Sequence, residues 1–357
     1  MDAPLDFAKL ALLRYPVKHA KELRAWDAAD EYLAAQLGAE SDIILLNDAF
    51  GALHCAAEQA ACEQIWHIND SWCSRTAIAS NAQRVPFAYF SEQRADIGLV
   101  KLPKSLSLLD AQLRTLAQSL TQPLLLYFSG MQKHVSSGHL DLIKALCAEV
   151  EYLPTWRKAR LYKAWLQPGH DDVNACTVPV PELDLQLHNV PGVFAEQKID
   201  IGSRFFIENF ARLPAASTVA DVGCGNGLLS LTYHRLHPAA QLYLYDESLA
   251  AVASAQVSFA HNAPAATVHI LHHDGLADID QQFDLILINP PFHQQNTVTT
   301  DIALSMFAQA RRCMRADSEL WIVANRHLNY QQDLKRWFKS VECVAQNAKF
   351  VIIKAKI

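Results

Sequence analysis

The sequence predicts an α/β protein made of two tandem doubly wound, Rossmann-like domains. Three observations support this. Short apolar strands alternate with helices in the C-terminal half, the N-terminal half repeats the same order of elements, and a proline-rich run separates the halves. A chain of 357 residues is also about two to three times as long as a typical single domain.

The alternation is clearest in the C-terminal half, where five short strands are predicted and three helices are predicted between them. The strands span 218–222, 241–245, 267–271, 283–288 and 320–324, and the helices span 228–236, 248–259 and 301–314. Short strands that are mostly apolar throughout are typical of a parallel sheet covered on both faces.

The N-terminal half has the same punctuation. The turn N-D-A-F-G (47–51) resembles the turn that ends at residue 227, and D-I-G-L-V-K-L-P-K (96–104) stands where the other half has D-L-I-L-I-N-P-P-F (284–292). We infer a duplicated domain; chance similarity between short segments is the alternative. The run 167–182, with three prolines and a glycine, is the expected linker between domains 1–166 and 183–357.

Composition and charge exclude several classes of protein. The net charge of −6 lacks the basic excess of a non-specific nucleic-acid binder, so any RNA contact must come from local patches. The first ten residues do not resemble a secretory signal, and no apolar run reaches the roughly 18 residues of a spanning helix. The eight cysteines include no C-x-x-C pair. We therefore expect a cytoplasmic protein with neither a membrane partner nor a metal site.

A glycine-rich turn, A-D-V-G-C-G-N-G (220–227), follows the first strand of the C-terminal half and opens a helix. A dinucleotide fingerprint would need its third glycine at position 228, which is a leucine. Asp221 would repel a pyrophosphate but suits the cationic methionine part of a sulfonium cofactor. The pattern resembles the first motif of class I S-adenosylmethionine-dependent methyltransferases, which makes Asp221, Gly223, Cys224, Gly225 and Gly227 candidate cofactor-binding residues.

Two further carboxylates follow neighbouring strands. Asp246 ends the second strand, where it can accept the hydroxyl hydrogens of a ribose; capping of the helix near Ser248 is the alternative role. Asp274 follows the third strand, where methyltransferases of this class often place a polar residue against the adenine. With His272 it also forms an H-x-D pair that could begin a non-haem iron site, although no third ligand can be placed.

The most specific motif is Asn289-Pro290-Pro291-Phe292, directly after the strand F-D-L-I-L-I. Alone it could be a simple rigid turn, because two prolines remove two backbone donors. After a glycine-rich turn of the kind above, it indicates methylation of an sp2 or amide nitrogen. The Asn289 side-chain oxygen and the Pro290 carbonyl can each accept one hydrogen of an exocyclic amine, and Phe292 can stack on the base.

Longer runs carry a family resemblance that spans nearly the whole chain. The runs that resemble the ribosomal RNA large subunit methyltransferase G family are L-R-A-W-D-A-A-D-E-Y-L (23–33), L-L-N-D-A-F-G-A-L (45–53), G-C-G-N-G (223–227), N-P-P-F-H-Q-Q (289–295) and I-V-A-N-R-H-L (322–328). The resemblance implies methylation of the exocyclic N2 amine of a guanosine in large-subunit (23S) rRNA. It also implies that the segment 192–204 lies near the cofactor, with Phe194, Asp200, Gly202 and Ser203 as binding residues.

The first half lacks these motifs, so we expect a degenerate methyltransferase-like domain with an RNA-binding role. Its turn has one glycine and a bulky Phe50, and K-L-P-K replaces N-P-P-F. The run 156–165 interleaves cations with aromatic residues, although an aggregation-resistant edge strand would look similar. The RNA-binding candidates are Lys101, Lys104, Arg157, Lys158, Arg160, Lys163 and Arg326.

Together these observations predict an S-adenosylmethionine-dependent rRNA (guanine-N2)-methyltransferase that acts on an unpaired guanosine, in deproteinised RNA or an assembly intermediate. Two alternatives remain. One is a methyltransferase for glutamine amides in a protein, because the same turn can hold a carboxamide nitrogen. The other is a non-catalytic RNA-binding factor in ribosome assembly.

Overall fold

Parallel strands with buried side chains form the centre of each half of the chain. The computed structural model describes residues 6–16, 23–38, 42–83, 88–89, 95–173, 175–291 and 297–357. The chain divides into two units between residues 174 and 175, and each unit contains its own apolar core. The predicted fold class is confirmed.

Unit 1 is built on a sheet with the order β3-β2-β1-β4-β5-β7-β6 in its described residues. Its strands are β1 (Asp42–Leu46), β2 (Gln64–Ile68), β3 (Ala88–Tyr89), β4 (Ile97–Lys101), β5 (Leu124–Met131), β6 (Cys147–Trp156) and β7 (Ala159–Leu166). Its helices are α1 (Ala28–Ala34), α2 (Ala52–Gln59), α3 (Trp72–Asn81), α4 (Leu106–Ser119) and α5 (Ser137–Leu146). The first five strands in chain order run parallel, and the hairpin of β6 and β7 joins antiparallel.

Unit 2 repeats this plan. Its strands are β8 (Cys176–Val180), β9 (Leu185–Asn189), β10 (Thr218–Val222), β11 (Gln241–Asp246), β12 (Val268–His272), β13 (Phe283–Ile288), β14 (Met314–Asn325), β15 (Ser340–Gln346) and β16 (Phe350–Lys356). Its helices are α6 (Ile201–Ile207), α7 (Leu228–Leu236), α8 (Leu249–Asn262), α9 (Thr297–Arg312) and α10 (Tyr330–Leu334). The sheet order is β12-β11-β10-β13-β14-β16-β15, which matches unit 1 strand for strand, while β8 and β9 form a separate ribbon.

Each unit also contains, within itself, a side-chain contact of the same kind that the sequence did not reveal. Asn81 brackets the backbone of Leu13, accepting from its N–H at 3.0 Å and donating to its carbonyl at 2.7 Å. Asn262 brackets the backbone of Gln186 in the same way, at 2.9 and 2.6 Å. Asn81 ends α3, which follows β2, and Asn262 ends α8, which follows β11, the strand that corresponds to β2 in the second sheet. These matching contacts support duplication of one ancestral domain.

The expected linker 167–182 is too long at its C-terminal end. Residues Cys176–Val180 form β8, which pairs antiparallel with β9, and Val178 and Val180 are buried in the core of unit 2. Pro179 indicated a break in regular structure, but a two-stranded ribbon has edges where no backbone donor is needed. Unit 2 therefore begins before residue 183.

None of the helices in the described residues is long and apolar enough to cross a membrane.

Lys101, expected to bind RNA, is instead engaged inside unit 1. Its Nζ lies 2.8 Å from Oδ1 of Asp27 and 2.6 Å from Oδ1 of Asp30, at the start of α1. Burial opposes the charge of Lys101, but the carboxylates of Asp30 and Asp27 outweigh it and raise the pKa of the amine. Lys101 is the last residue of β4, and from there its side chain reaches the two acids at the start of α1. Lys104, three residues later, is exposed.

We expect Lys101→Met to destabilise unit 1 strongly, because it leaves two carboxylates close together without a cation. Breaking a buried ion pair in this way costs about 3 kcal/mol. Urea unfolding measures the loss, and Lys104→Met serves as the matched control because it removes an exposed lysine. Equal stabilities of the two variants would contradict a stabilising role for the Lys101 pairs.

Candidate active site at the carboxyl edge of the second sheet

Strand order brings the candidate residues of unit 2 to one edge. From β10 the chain reaches β11 on one side and β13 on the other, and all three strands run parallel. Ligands in doubly wound folds bind at such a reversal, beyond the carboxyl ends of the strands. The glycine-rich loop, Asp246 and Asn289 each follow or end one of these strands, so the structure brings them to the same crevice.

The three glycines of the loop all have the left-handed backbone that favours glycine, with φ of 75°, 55° and 83° at Gly223, Gly225 and Gly227. Gly227 allows helix packing, since a Cβ there would lie 3.2 Å from a ring carbon of Phe259. Gly225 differs, because a Cβ built on it would meet no protein atom within 4 Å. The loop therefore leaves open space beside Gly225, where a ligand can approach the backbone.

Backbone donors of the loop are already used within the protein. Gly223 and Cys224 both donate to the carbonyl of Tyr245, at 2.8 and 3.1 Å, and Gly225 donates to Oδ2 of Asp246 at 2.9 Å. A pyrophosphate site needs such N–H groups directed at the ligand. The loop offers close approach rather than an anion cradle, in agreement with the exclusion of a dinucleotide.

Cys224 contributes backbone but not thiol chemistry to this loop. Its side chain is buried in the core of unit 2, and burial raises the pKa of the thiol well above its ordinary value. The thiol therefore packs in the core, and only the backbone of Cys224 is available for the cofactor-binding role expected of this residue.

Asp221 is a buried carboxyl on β10. Its Oδ2 accepts from the Ser230 hydroxyl at 2.7 Å, whereas Oδ1 is buried without a hydrogen-bond partner. Burial raises the pKa of Asp221 to about 7, and the nearby charge of Asp246 acts in the same direction. A cationic or hydrogen-bond-donating ligand group would satisfy Oδ1 and favour the ionised form.

Asp246 organises the loop beside it. Besides accepting from Gly225, it accepts from the N–H of Ser248 at 2.9 Å through Oδ1. The following helix is capped by Ser248, whose hydroxyl accepts from Ala251 at 3.2 Å, so the cap is not Asp246 itself. Each carboxylate oxygen can accept more than one hydrogen bond, so these contacts do not by themselves exclude a ribose.

Asp274 lies half-buried in the turn that follows β12. Its carbonyl accepts from Ala277 at 3.0 Å, and the Gln309 side chain accepts from Leu276 at 2.9 Å and anchors the turn. Within the described residues, no group of three or more His, Cys, Asp and Glu side chains is placed to hold a metal ion. The H-x-D pair thus has no third ligand among them.

Asn289 leaves the sheet directly after β13 with its side chain fixed. Its Nδ2 donates to the Ser203 hydroxyl at 2.8 Å and to Oδ2 of Asp200 at 3.3 Å. Its Oδ1 is buried and has no hydrogen-bond partner. The amide thus keeps one acceptor that no protein group uses. Pro290 is buried behind it, and Phe292 lies outside the described residues.

The segment before α6 joins the same edge. Asn189, at the end of β9, donates to the carbonyl of Glu196 at 2.7 Å and accepts from Asn226 of the glycine-rich loop at 3.0 Å. Phe194 is 62% exposed in this segment, and Gly202 is buried in the first turn of α6. The site residues 194–203 are therefore tied to the loop and to Asn289.

Sequence reasoning missed four polar residues here: Asn189, Asn226, Ser230 and Asn325. The first three bond to the predicted motifs, and Oδ1 of Asn325, at the carboxyl end of β14, is buried without a partner. For Asn226 and Asn325 a signal existed, because both lie inside runs that resemble the family. Ser230 and Asn189 reach the site only through the fold.

The cationic candidates are dispersed. Arg326 is exposed just after β14 and donates to the carbonyl of Asn347 at 3.1 Å. In unit 1, Arg157 and Lys158 form the exposed turn between β6 and β7. Arg160 and Lys163 are half-buried on β7, an inner strand of the sheet, so the edge-strand interpretation of that run is wrong.

Arg157 is also held by its neighbours. Its guanidinium lies 2.9 Å from Glu31 and 4.6 Å from the ring centre of Trp156.

The residues at this edge fit S-adenosylmethionine. Space beside Gly225 admits a ligand against the backbone, Oδ1 of Asp221 lacks a partner, and Asp246 places a carboxylate at the end of β11. A cationic methionine part and a ribose require these features.

The pKa of Asp221 predicts that stability falls as the pH rises from about 4 to about 7. The unfolded carboxyl loses its proton near its ordinary pKa of 3.8, whereas the folded one keeps it to about 7. In between, the folded state holds more protons, so the free energy of unfolding falls by up to about 1.4 kcal/mol per pH unit. Urea unfolding at pH 5 and pH 7.5 should show a smaller fall for Asp221→Asn, and equal falls would contradict this assignment.

We expect Gly225→Ala and Gly227→Ala to separate ligand binding from folding. Both changes pay about 1 to 2 kcal/mol for a left-handed alanine, but only Gly227→Ala also meets Phe259. The midpoint temperature of thermal unfolding should therefore drop further in Gly227→Ala. Calorimetric titration with S-adenosylmethionine should show the larger loss of affinity per unit of lost stability in Gly225→Ala. Unchanged affinity in Gly225→Ala would show that no ligand approaches the backbone there.

Comparisons with known proteins agree with this geometry. Residues 184–354 match the model of the methyltransferase small domain, and residues 2–168 match the model of the RLMG N-terminal domain. A solved Thermus thermophilus 16S rRNA N2 G1207 methyltransferase, in complex with AdoMet and guanosine, has the same fold, with a TM-score of 0.79, 20% identity and 93% of each chain covered.

Curated relatives are more similar in sequence. Ribosomal RNA large subunit methyltransferase G of Pseudomonas paraeruginosa is 40% identical, and that of Pseudomonas aeruginosa is 39% identical. Each similarity covers 98% of this chain and 98% of the relative. On this evidence, the chain belongs to the ribosomal RNA large subunit methyltransferase G family.

Proposed function

We propose that this protein transfers the methyl group of S-adenosylmethionine to the exocyclic N2 amine of a guanosine in large-subunit (23S) rRNA. The observation that carries the proposal is the Asn289 amide, whose nitrogen is turned toward Asp200 and Ser203 while its oxygen is buried without a partner. Family membership supports large-subunit rRNA as the substrate, since the curated relatives carry that name.

The chemistry required is the activation of a poor nucleophile. The lone pair of a guanine amine is delocalised into the ring. Asn289 Oδ1 and the Pro290 carbonyl accept the two amine hydrogens, which favours a pyramidal nitrogen and directs its lone pair at the methyl group. The cofactor supplies an electrophilic methyl group on a sulfonium. No general base is needed, because the amine loses its proton after transfer.

Other residues of the edge hold the two reactants. The backbone at Gly223 to Gly227 would admit the cofactor closely, Asp246 would accept from the ribose, and Asp221 and Asp274 would serve the cationic part and the adenine. Phe292 lies outside the described residues and is proposed from its residue type alone to stack on the guanine, and Phe194 offers an exposed ring in the segment tied to the loop. Catalysis then depends mostly on positioning in a site that already has its acceptors in place.

An amine within a base pair is stacked and hydrogen-bonded, so the target guanosine must be unpaired or flipped out. We therefore propose deproteinised RNA or an assembly intermediate as the substrate, since mature particles bury more of their RNA. We also propose a cytoplasmic location, in keeping with ribosomal RNA as substrate, and a reaction without a metal.

Unit 1 is proposed to hold RNA without catalysing transfer. Leu45 stands where unit 2 has Asp221, and Lys101 with its carboxylates stands where unit 2 has Asn289. Phe50 occupies the loop and packs under the Arg14 guanidinium, 4.4 Å from its ring centre. Exposed Lys104 and Lys158 then supply phosphate contacts. Two equivalents of cofactor per chain in a titration would contradict this.

We expect Asn289→Ala to lower kcat by about 10²- to 10³-fold, the usual effect of removing one positioned hydrogen-bonding group. Purified protein is incubated with tritiated S-adenosylmethionine and either deproteinised large-subunit rRNA or intact particles, and nucleosides are then separated. Label should appear in N2-methylguanosine with wild type and with the control Gln256→Ala, which removes an exposed amide on α8.

The outcome in wild type also separates the alternatives. Label in no nucleoside, with cofactor binding intact, would contradict the proposal. Label in a protein glutamine would then assign the amide substrate, and no label in either would leave an RNA-binding assembly factor.

A further inference from the structure

Asp200 and Ser203, expected from the family resemblance to bind cofactor, both contact Asn289. The Asn289 amide nitrogen donates to the Ser203 hydroxyl at 2.8 Å and to the Asp200 carboxylate at 3.3 Å. Oδ2 of Asp200 also accepts from the N–H of Ser203 at 2.8 Å, which caps α6. The pair therefore forms one hydrogen-bonded unit with the asparagine.

We propose that Asp200 and Ser203 are positioning residues that set the orientation of the Asn289 amide, so that Oδ1 is its only group facing the substrate nitrogen. The proposal rests on the function proposed above and assigns a cause to its acceptor geometry.

Orientation matters because the two ends of an amide have opposite hydrogen-bonding character. If the Asn289 side chain were rotated by half a turn, Oδ1 would face the Asp200 carboxylate, which only accepts. The nitrogen would then face the crevice and meet an incoming amine with hydrogens against hydrogens. A serine hydroxyl can donate or accept, so Ser203 strengthens the contact but Asp200 decides its direction.

Unit 1 supports the same use of a helix start. Asp27 caps α1 as Asp200 caps α6, and Asp30 stands three residues later as Ser203 does. These two residues hold Lys101, which occupies the position in unit 1 that corresponds to Asn289 in unit 2. In unit 1 the first turn of the seven-residue helix α1 holds the side chain at the end of the central strand β4. In unit 2 the first turn of α6, also seven residues long, holds the side chain that follows β13.

The carboxylate can be tested without disturbing the helix. Oδ2 of Asp200 both caps α6 and accepts from Asn289, so a variant must keep a capping oxygen without the carboxylate. Asp200→Ser does this, because serine caps helices about as well as aspartate does, and its hydroxyl no longer offers Asn289 a group that only accepts. We expect kcat with deproteinised large-subunit rRNA to fall on the order of 10- to 100-fold. The affinity for S-adenosylmethionine and the unfolding midpoint should stay near wild type.

Ser203 provides the second arm of the test. Ser203→Ala removes the shorter hydrogen bond and should lower kcat, whereas Ser203→Thr keeps a hydroxyl and should recover it. A fall in cofactor affinity that equals the fall in kcat/KM, with kcat unchanged, would show instead that these residues bind cofactor.

A spectroscopic readout keeps this test independent of the reaction. In protein labelled with 15N at asparagine, the side-chain signals of residue 289 are identified by their loss in Asn289→Ala. In wild type they should exchange slowly with solvent, and in Ser203→Ala and Asp200→Ser they should exchange faster. Fast exchange in wild type would overturn the positioning role even if RNA methylation were absent. Wild-type kcat in Asp200→Ser would overturn it while the proposed function stood.

Discussion

The register between β10 and β13 is the constraint on which the site depends. Val222 pairs with Ile288, so both strands end side by side. Gly223 and Asn289 are the next residues on each strand, and the glycine-rich loop and the amide therefore leave the sheet at one point. Because both faces of these strands are packed, a slip of one residue would move every side chain into the core on the opposite face, which makes the register costly to change.

Duplication explains why the chain carries two similar units with different chemistry. A glycine with left-handed backbone precedes α2, which follows β1, and another precedes α7, which follows β10; φ is 86° at Gly51 and 83° at Gly227. Both units place an acid at the start of a short helix against the end of a central strand. In unit 1 the partner is a lysine, so the acids neutralise a charge. In unit 2 the partner is an amide, so they leave an acceptor available.

Most of the five strands and three helices predicted for the C-terminal half lie within a few residues of their observed bounds, because these strands are short and mostly apolar, with helices between them. The elements β8, β9, β15, β16, α6 and α10 were not predicted with bounds. The largest differences have a physical reason. β14 runs over Met314–Asn325 because the segment 315–317 continues the strand through exposed residues that carry no apolar signal. β8 reads as linker in the sequence because Pro179 lies within it and Pro181 follows it directly. Lys101 was placed on the surface because its acidic partners are about 70 residues distant in sequence, where spacing rules do not reach.

The sequence by itself determined the fold class, the glycine-rich turn, the N-P-P-F motif and the family, since each depends on residue types at short, regular spacings. Only the tertiary structure decided which atoms of these residues are available. Ser230 satisfies one oxygen of Asp221 and leaves the other without a partner, and Asp200 and Ser203 orient Asn289. These contacts join residues that lie on different elements, and hydrogen-bond direction depends on which groups face each other after the sheet has formed.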